Sequence, residues 1–412
     1  MFSRYRSIPS EARLLIALSF VPSLALAFLS TDLSYFLSSV RGLSITFTGL
    51  VITVMGLSVV LASIPFGILA DRYGRRRFIV TGNLLASVTL ASFALTSQPA
   101  LLLAAAVVEG VTEAAFASAG TAMLAEKAGE EHRTAAFSLS SFLQNIGWGL
   151  SGFAIPLVLV LQFFGLSNSQ AHVALYLVLA ASSAAITPFI FRISESRTSA
   201  KTKSIREFIP RRSRSVLERY AVTAVLIAFG AGLFVPLMTL WFSLSFGVPD
   251  TVSGPIVGLS GFLIAAFTLA APGLARRFGL VKSIVLTEGL SLVFMLAVPL
   301  SPTFLIAGLL YTIRTFTMNI SGPLSMSLIM GLVDSDERGA ASGINAAIWR
   351  FPNSISTVIG SDAMRSGMLA LPFYIASLLY LLSISFFWYF FKDVRVPEEV
   401  ATPATAEKLK GN

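Results

Sequence analysis

Long apolar runs separated by short polar segments make up most of the chain, and none shows the strict alternation of a lipid-facing β-strand. A helix that crosses a bilayer needs about 20 mostly apolar residues. Twelve stretches meet that length: 12–35, 44–70, 78–97, 99–126, 134–163, 170–191, 218–245, 253–275, 281–300, 303–331, 338–361 and 366–391. The pattern predicts an all-α membrane protein with twelve transmembrane helices. One broad interruption, 193–217, is polar and basic and contains Pro210. The expected organisation is therefore an N-terminal six-helix bundle over 1–192, a cytoplasmic basic linker over 193–217, a C-terminal six-helix bundle over 218–391, and a polar cytoplasmic tail over 392–412.

Composition agrees. The chain is 55% hydrophobic and 12% charged, against about 25% charged in soluble domains. Its 33 phenylalanines suit a lipid-facing surface, and the absence of cysteine removes disulfides and thiolate metal sites. Only His132 and His172 are present, so a histidine-based metal centre is not expected, and neither is a cofactor. The net charge of +9 sits in the short segments between apolar runs. That placement explains it by membrane topology rather than by nucleic acid. Basic residues cluster before the first helix, after helices 2, 4 and 8, in the linker and in the tail; Arg41 and Arg365 are the exceptions. The positive-inside rule puts both termini in the cytoplasm, as an even helix count requires. A multi-pass plasma-membrane protein without a cleaved leader is expected, because the first apolar run is too long for a signal peptide.

Shifting the chain by 205 residues aligns several features without a gap. GILADRYG at 67–74 falls on PGLARRFG at 272–279, and EEHRTAA at 130–136 falls on SDERGAA at 335–341. Gly49 falls on Gly254, and Gly56 on Gly261. The two halves form a parallel repeat about an axis along the membrane normal.

The segment GILADRYGRRRFI at 67–79 resembles the loop signature of the major facilitator superfamily, matching at Gly67, Leu69, Ala70, Asp71, Arg72, Gly74, Arg75 and Arg76. Gly67 suggests a close helix approach and Gly74 a tight turn. The resemblance implies two pseudo-symmetric six-helix bundles around a central cavity, moving by a rocker switch. It implies that Asp71 engages the N-terminal end of helix 11, where a helix dipole favours negative charge. It also implies that a motif arginine reaches Glu126 at the end of helix 4. The second copy departs from the signature, with Arg276 where Asp71 stands. Two further departures count against a drug/proton antiporter. The helix 4 arginine of many proton-coupled members is missing near Ala106, and helix 5 lacks a Gly-Pro centre.

Charges deep in a membrane are costly and are candidates for function. Glu109 and Glu113 lie four residues apart on helix 4, roughly 15–20 Å from its end at 1.5 Å per residue. Arg314 lies on helix 10 and Arg350 on helix 11. The 205 shift sets Glu109 opposite Arg314 and Asn145 opposite Arg350. Two readings are open: the glutamates share a proton that couples transport, or they neutralise the arginines as ion pairs. Asp32, in the last third of helix 1, is a further candidate that solvent near the interface could satisfy. Glu288 is expected to snorkel or to pair with Lys282. Gln144, Asn145, Asn319, Trp148, Trp241 and Trp349 could line a site.

No metalloprotease, nucleophile-elbow or nucleotide-binding sequence occurs, and no loop could hold a catalytic domain. An enzyme and an ATP-driven pump are thereby excluded. The leading expectation is a monomeric, proton-coupled secondary transporter that exports an amphipathic or cationic compound. Paired arginines would instead suit uptake of an organic anion, and a non-transporting receptor or scaffold is a third reading.

Overall fold

The computed structural model describes residues 8–195, 212–268, 271–334 and 337–394. The core of the basic linker and the end of the tail lie outside the described residues, as do the side chains of Asp71 and Arg338. Among the described residues all regular structure is helical. Helix α1 is Ser10–Tyr35, continued by a π turn Phe36–Val40; α2 is Ile45–Tyr73 and α3 Arg75–Leu95. Then come α4 Pro99–Gly129, α5 Ala135–Phe163, α6 Asn168–Ile190 and α7 Arg214–Phe246. Next are α8 Asp250–Thr268, α9 Leu280–Leu300, α10 Phe304–Leu332, α11 Arg338–Arg365 and α12 Leu371–Phe391. Eleven of these are long and apolar enough to cross a membrane. The twelfth, α11, has 28 residues but carries Asn345, Arg350, Asn353, Asp362 and Arg365.

Local chemistry sets the ends. Ser44 and Thr303 cap α2 and α10 by accepting from Phe47 N and Ile306 N. Ser167 and Gln170 form a capping box at the start of α6. Gly74 (φ 106°) and Gly279 (φ 80°), 205 residues apart, make the turns that end the two copies of the signature. Gly129 (φ 67°) interrupts what would otherwise be one helix from Pro99 to Ala154.

Two expected helices are less continuous than the sequence suggests. Between Gly232 and Met238, α7 breaks into a turn and a 3₁₀ segment, Val235–Leu237. Pro236 lacks the N–H a helix needs, and a Cβ on Gly232 would lie 2.7 Å from Asn353 C. The eighth span, expected over 253–275, ends at Thr268, and a short helix Ala271–Phe278 follows.

The chain forms two compact units. Unit 1 holds residues 1–202, 232–262 and 353–372; unit 2 holds 203–231, 263–352 and 373–412. The helix ends that carry the α2–α3 turn are called here the motif end, and the opposite ends the far end. Unit 1 has an aromatic core around Phe28, Phe36, Phe93 and Tyr176, and a second core at the motif end around Ile16, Ile79, Met123 and Ile190. The core of unit 2 is built from Leu217, Ile284, Leu324 and Phe387.

At the far end of unit 1 the last part of α11 and the first part of α8 pack against the N-terminal bundle along two seams. In the α2/α11 seam, a Cβ on Gly49 would lie 3.2 Å from Thr357 O, and one on Gly56 would lie 2.9 Å from Ser354 Cβ. Thr53 Oγ1 donates to Ser354 O at 2.8 Å, and Thr46 Oγ1 to Asp362 Oδ1 at 2.9 Å. In the α5/α8 seam, a Cβ on Gly152 would lie 2.7 Å from Gly258 Cα, and one on Gly261 would lie 2.8 Å from Gly149 N. Small residues let helices in lipid approach to backbone contact. Trp241, wholly buried, donates to Leu369 O at 2.9 Å in the same region.

Candidate functional site

The α2–α3 turn is held by charge. Arg75 Nη1 lies 3.0 Å from Glu126 Oε2 at the end of α4. The Arg76 guanidinium donates to Ile193 O at 3.2 Å, and its backbone N–H donates to Glu195 Oε1 at 3.3 Å. Lys127 Nζ lies 2.9 Å from Glu11 Oε2 on α1, and Ser194 Oγ donates to the same carboxylate oxygen at 2.9 Å. The α2–α3 turn and the ends of α1, α4 and α6 are thus tied together. Arg72 is exposed, with its guanidinium 5.5 Å from the centroid of the Tyr73 ring. Gly67 does not make the close approach its residue type suggested: a Cβ there would meet Ser118 at 3.8 Å, an ordinary contact. The tight α2–α4 approach is at Gly110, where a Cβ would lie 2.6 Å from Ser58 Cβ.

Mid-span, Glu109 is buried on α4 and accepts a short hydrogen bond from Thr89 Oγ1 on α3. Glu113, one turn on, is half-buried. The Asn145 side chain donates back to Ser141 O on its own helix at 3.0 Å. In unit 2, Arg314 is buried on α10, donates to Tyr380 Oη of α12, and sits 5.4 Å from that ring's centroid. Arg350 is exposed on α11. Glu288 is only 5% exposed rather than snorkelling. Its helix face packs on α10, because Ser291, three residues on, donates to Arg314 O at 3.0 Å.

The largest difference from expectation concerns Asp32. It is wholly buried rather than solvated, and it belongs to a cluster that the sequence did not suggest. His172 on α6 and Asp250 at the start of α8 are 0% and 1% exposed. One ligand-type atom from each of Asp32, His172 and Asp250 lies within 4.8 Å of those of the other two. His172 Nε2 is 2.8 Å from Asp250 Oδ2, and Nδ1 is 2.8 Å from Asn168 O. Among the described residues, both Asp32 carboxylate oxygens and the Tyr176 hydroxyl are buried without a hydrogen-bond partner of acceptable geometry. Phe36, on the π turn, stacks on Tyr176 and His172 with centroids 4.8 and 5.8 Å away.

A family model described as Major Facilitator Superfamily matches residues 15–357. No curated protein matches the chain. Among solved structures, the nucleoside transporter NupG superposes with a TM-score of 0.74 at 13% identity, over 94% of this chain and 100% of that one. An inward-facing, occupied structure of a bacterial homolog to the human lysosomal transporter Spinster gives 0.74 at 13% identity, over 94% and 98%. The human organic anion transporter MFSD10 gives 0.64 at 16% identity, over 92% and 100%. At these identities the likeness is one of fold.

Proposed function

The chain belongs to the major facilitator superfamily, and from that premise we propose that it is a monomeric, proton-coupled exporter of a small amphipathic or cationic solute in the plasma membrane. It is a multi-pass membrane transporter and not an enzyme. The motif end is the cytoplasmic face in this reading, as the basic residues around Gly74 and after α4 and α8 support. Both termini and the 193–217 linker then lie in the cytoplasm, between an N-terminal bundle over 1–192 and a C-terminal bundle over 218–391.

The observation that carries the reading is the pair of acids on successive turns of α4. Glu109 is buried and accepts from Thr89, whereas Glu113, half-buried one turn on, is the more accessible acid of the two. An intramembrane carboxylate is retained at a cost that a functional role explains. Arg314, the residue that would favour an anionic solute, is instead engaged with Tyr380. The similar folds include a nucleoside transporter and an organic anion transporter, so solute choice rests on side chains rather than on fold. The gate of this reading is the motif end. Arg75 and Glu126 brace the α2–α3 turn, and Asp71 steadies the N-terminal end of α11 in the outward-open state.

The test uses proteoliposomes with an imposed pH gradient and a panel of lipophilic cations. Glu113→Gln should abolish gradient-driven flux and keep exchange of solute down its own gradient. Wild-type flux that ignores the pH gradient, or an unchanged Glu113→Gln variant, would remove proton coupling at this residue.

A further inference from the structure

The Asp32–His172–Asp250 cluster permits an inventory of protons from its contacts. A backbone carbonyl only accepts, so His172 Nδ1, 2.8 Å from Asn168 O, carries a hydrogen. The 2.8 Å contact between Nε2 and Asp250 Oδ2 requires a second hydrogen between them. These two protons balance His172 and Asp250 against each other as a neutral pair. The Asp32 carboxylate is then left over, wholly buried, with the neutral Tyr176 phenol beside it as its donor. Such a group keeps its negative charge only at a heavy desolvation cost.

Among the described residues, His172 is the one cation that acts on Asp32. Tyr35 and Tyr176 are the other titratable groups at the cluster, and both are neutral phenols. Arg41, just past the π turn, has its guanidinium 5.2 Å from the centroid of the Phe36 ring, and that ring packs on His172 and Tyr176. A divalent metal would need Nε2 as a bare lone pair, and would have to displace the proton that already joins Nε2 to Asp250. The fold itself does not require charge here. Carried across the 205-residue repeat, the three positions are Leu237, Ser377 and Ile45, all uncharged.

We propose that Asp32, His172 and Asp250 form a site for one proton, held on Asp32, and that this proton latches the far end of unit 1 shut. The cluster joins three elements from distant parts of the chain: the end of α1, the start of α6 and the start of α8. α8 is one of the four helices that make the two far-end seams. With the proton in place the cluster is neutral and can stay buried. Without it, Asp32 is drawn to water, and the start of α8 is released from α1 and α6. The sign follows: acid favours the closed far end, and alkali favours its opening. The latch is independent of the coupling proposed for Glu113, because the two sites share no residue.

The chain has no cysteine, so a single introduced thiol reports on the far end. Ser253, wholly buried on the first turn of the seam helix α8, becomes Ser253→Cys; exposed Ser167 becomes the reference Ser167→Cys. Maleimide labelling of the full chain in detergent is measured from pH 5.5 to 8.5, as the ratio of the seam thiol to the reference thiol. The ratio should rise with pH, by roughly tenfold for each pH unit over which the site empties. Asp32→Asn, which imitates the protonated acid, should label slowly throughout. A pH-independent ratio in the wild-type background would overturn the proposal. So would an Asp32→Asn variant that keeps the pH response or fails to accumulate. Protection of the seam by added Zn²⁺ or Mn²⁺ that depends on Asp32 would assign the site to a metal instead. Loss of transport in Glu113→Gln with an intact pH response of the seam would separate the two sites.

Discussion

The two seams at the far end of unit 1 follow one plan with different residues. The 205-residue shift carries Gly56 and Ser354 of the α2/α11 seam onto Gly261 and Gly149 of the α5/α8 seam. It carries Gly49 and Thr357 onto Gly254 and Gly152. Each seam therefore places a glycine of the second or eighth helix against the same turn of its partner. In α2/α11 the facing residues are Ser354, Thr357 and Ser361, and side-chain hydrogen bonds from Thr46 and Thr53 add to the packing. In α5/α8 the facing residues are glycines, and backbone meets backbone. One seam is fastened by polar side chains and tolerates a Cβ on one side; the other holds by proximity alone and tolerates none.

This contrast sets an order of sensitivity for stability in detergent. The largest effect is expected for Gly258→Leu, which drives a side chain into Gly149 and Gly152. It should cost about 3 kcal/mol, the upper end for overpacking, and the melting temperature should fall accordingly. Gly149→Ser, which transplants the α2/α11 residue into the other seam, should cost about 1–3 kcal/mol. A Cβ on Gly149 would lie 2.5 Å from the Phe262 ring, so Phe262→Ala in the same chain should recover at least part of that loss. A double-mutant cycle that finds the two changes additive would contradict the packing argument. Thr53→Val removes one buried hydrogen bond from the α2/α11 seam and should cost about 0.5–1.5 kcal/mol. Ser354→Gly makes that seam resemble its partner and should cost only about 0.5 kcal/mol, from helix propensity. Gly67→Ala, at a helical glycine outside both seams with room for a Cβ, should raise stability slightly, by about 0.5 kcal/mol, from helix propensity. A large loss at Gly67 with little at Gly258 would reverse the assignment of the close contacts.

Much of this scaffold was legible in the chain. Apolar runs placed most spans to within a few residues, the eighth excepted, because lipid leaves no alternative to a helix there. The gapless repeat picked out Gly49, Gly56, Gly254 and Gly261 before their partners were known. It could not identify those partners, because a residue's own sequence says which helix it sits on and not what faces it. The same limit explains Glu109. The i,i+4 spacing fixes its direction relative to Glu113 to about 40°, yet the hydrogen bond to Thr89 depends on how α3 packs. His172 and Asp250 were missed because each is ordinary alone: one histidine within an apolar run, one aspartate opening a helix. The available signal was asymmetry, since the repeat sets Leu237, Ser377 and Ile45 against Asp32, His172 and Asp250. Charge present in one copy and absent from the other marks a position that the shared fold does not explain.

The π turn Phe36–Val40 at the end of α1 has a further consequence. It unwinds the helix locally, whereas the 3₁₀ turn Val235–Leu237 tightens α7 close to the equivalent position. The halves keep identical residue counts there but differ in angular phase. Correspondence by number therefore stops being correspondence by direction just beyond these turns. A chimera that exchanged α1 and the first part of α7 by the repeat offset would keep every helix length and still point Phe36, and with it the Arg41 guanidinium, at the wrong neighbours.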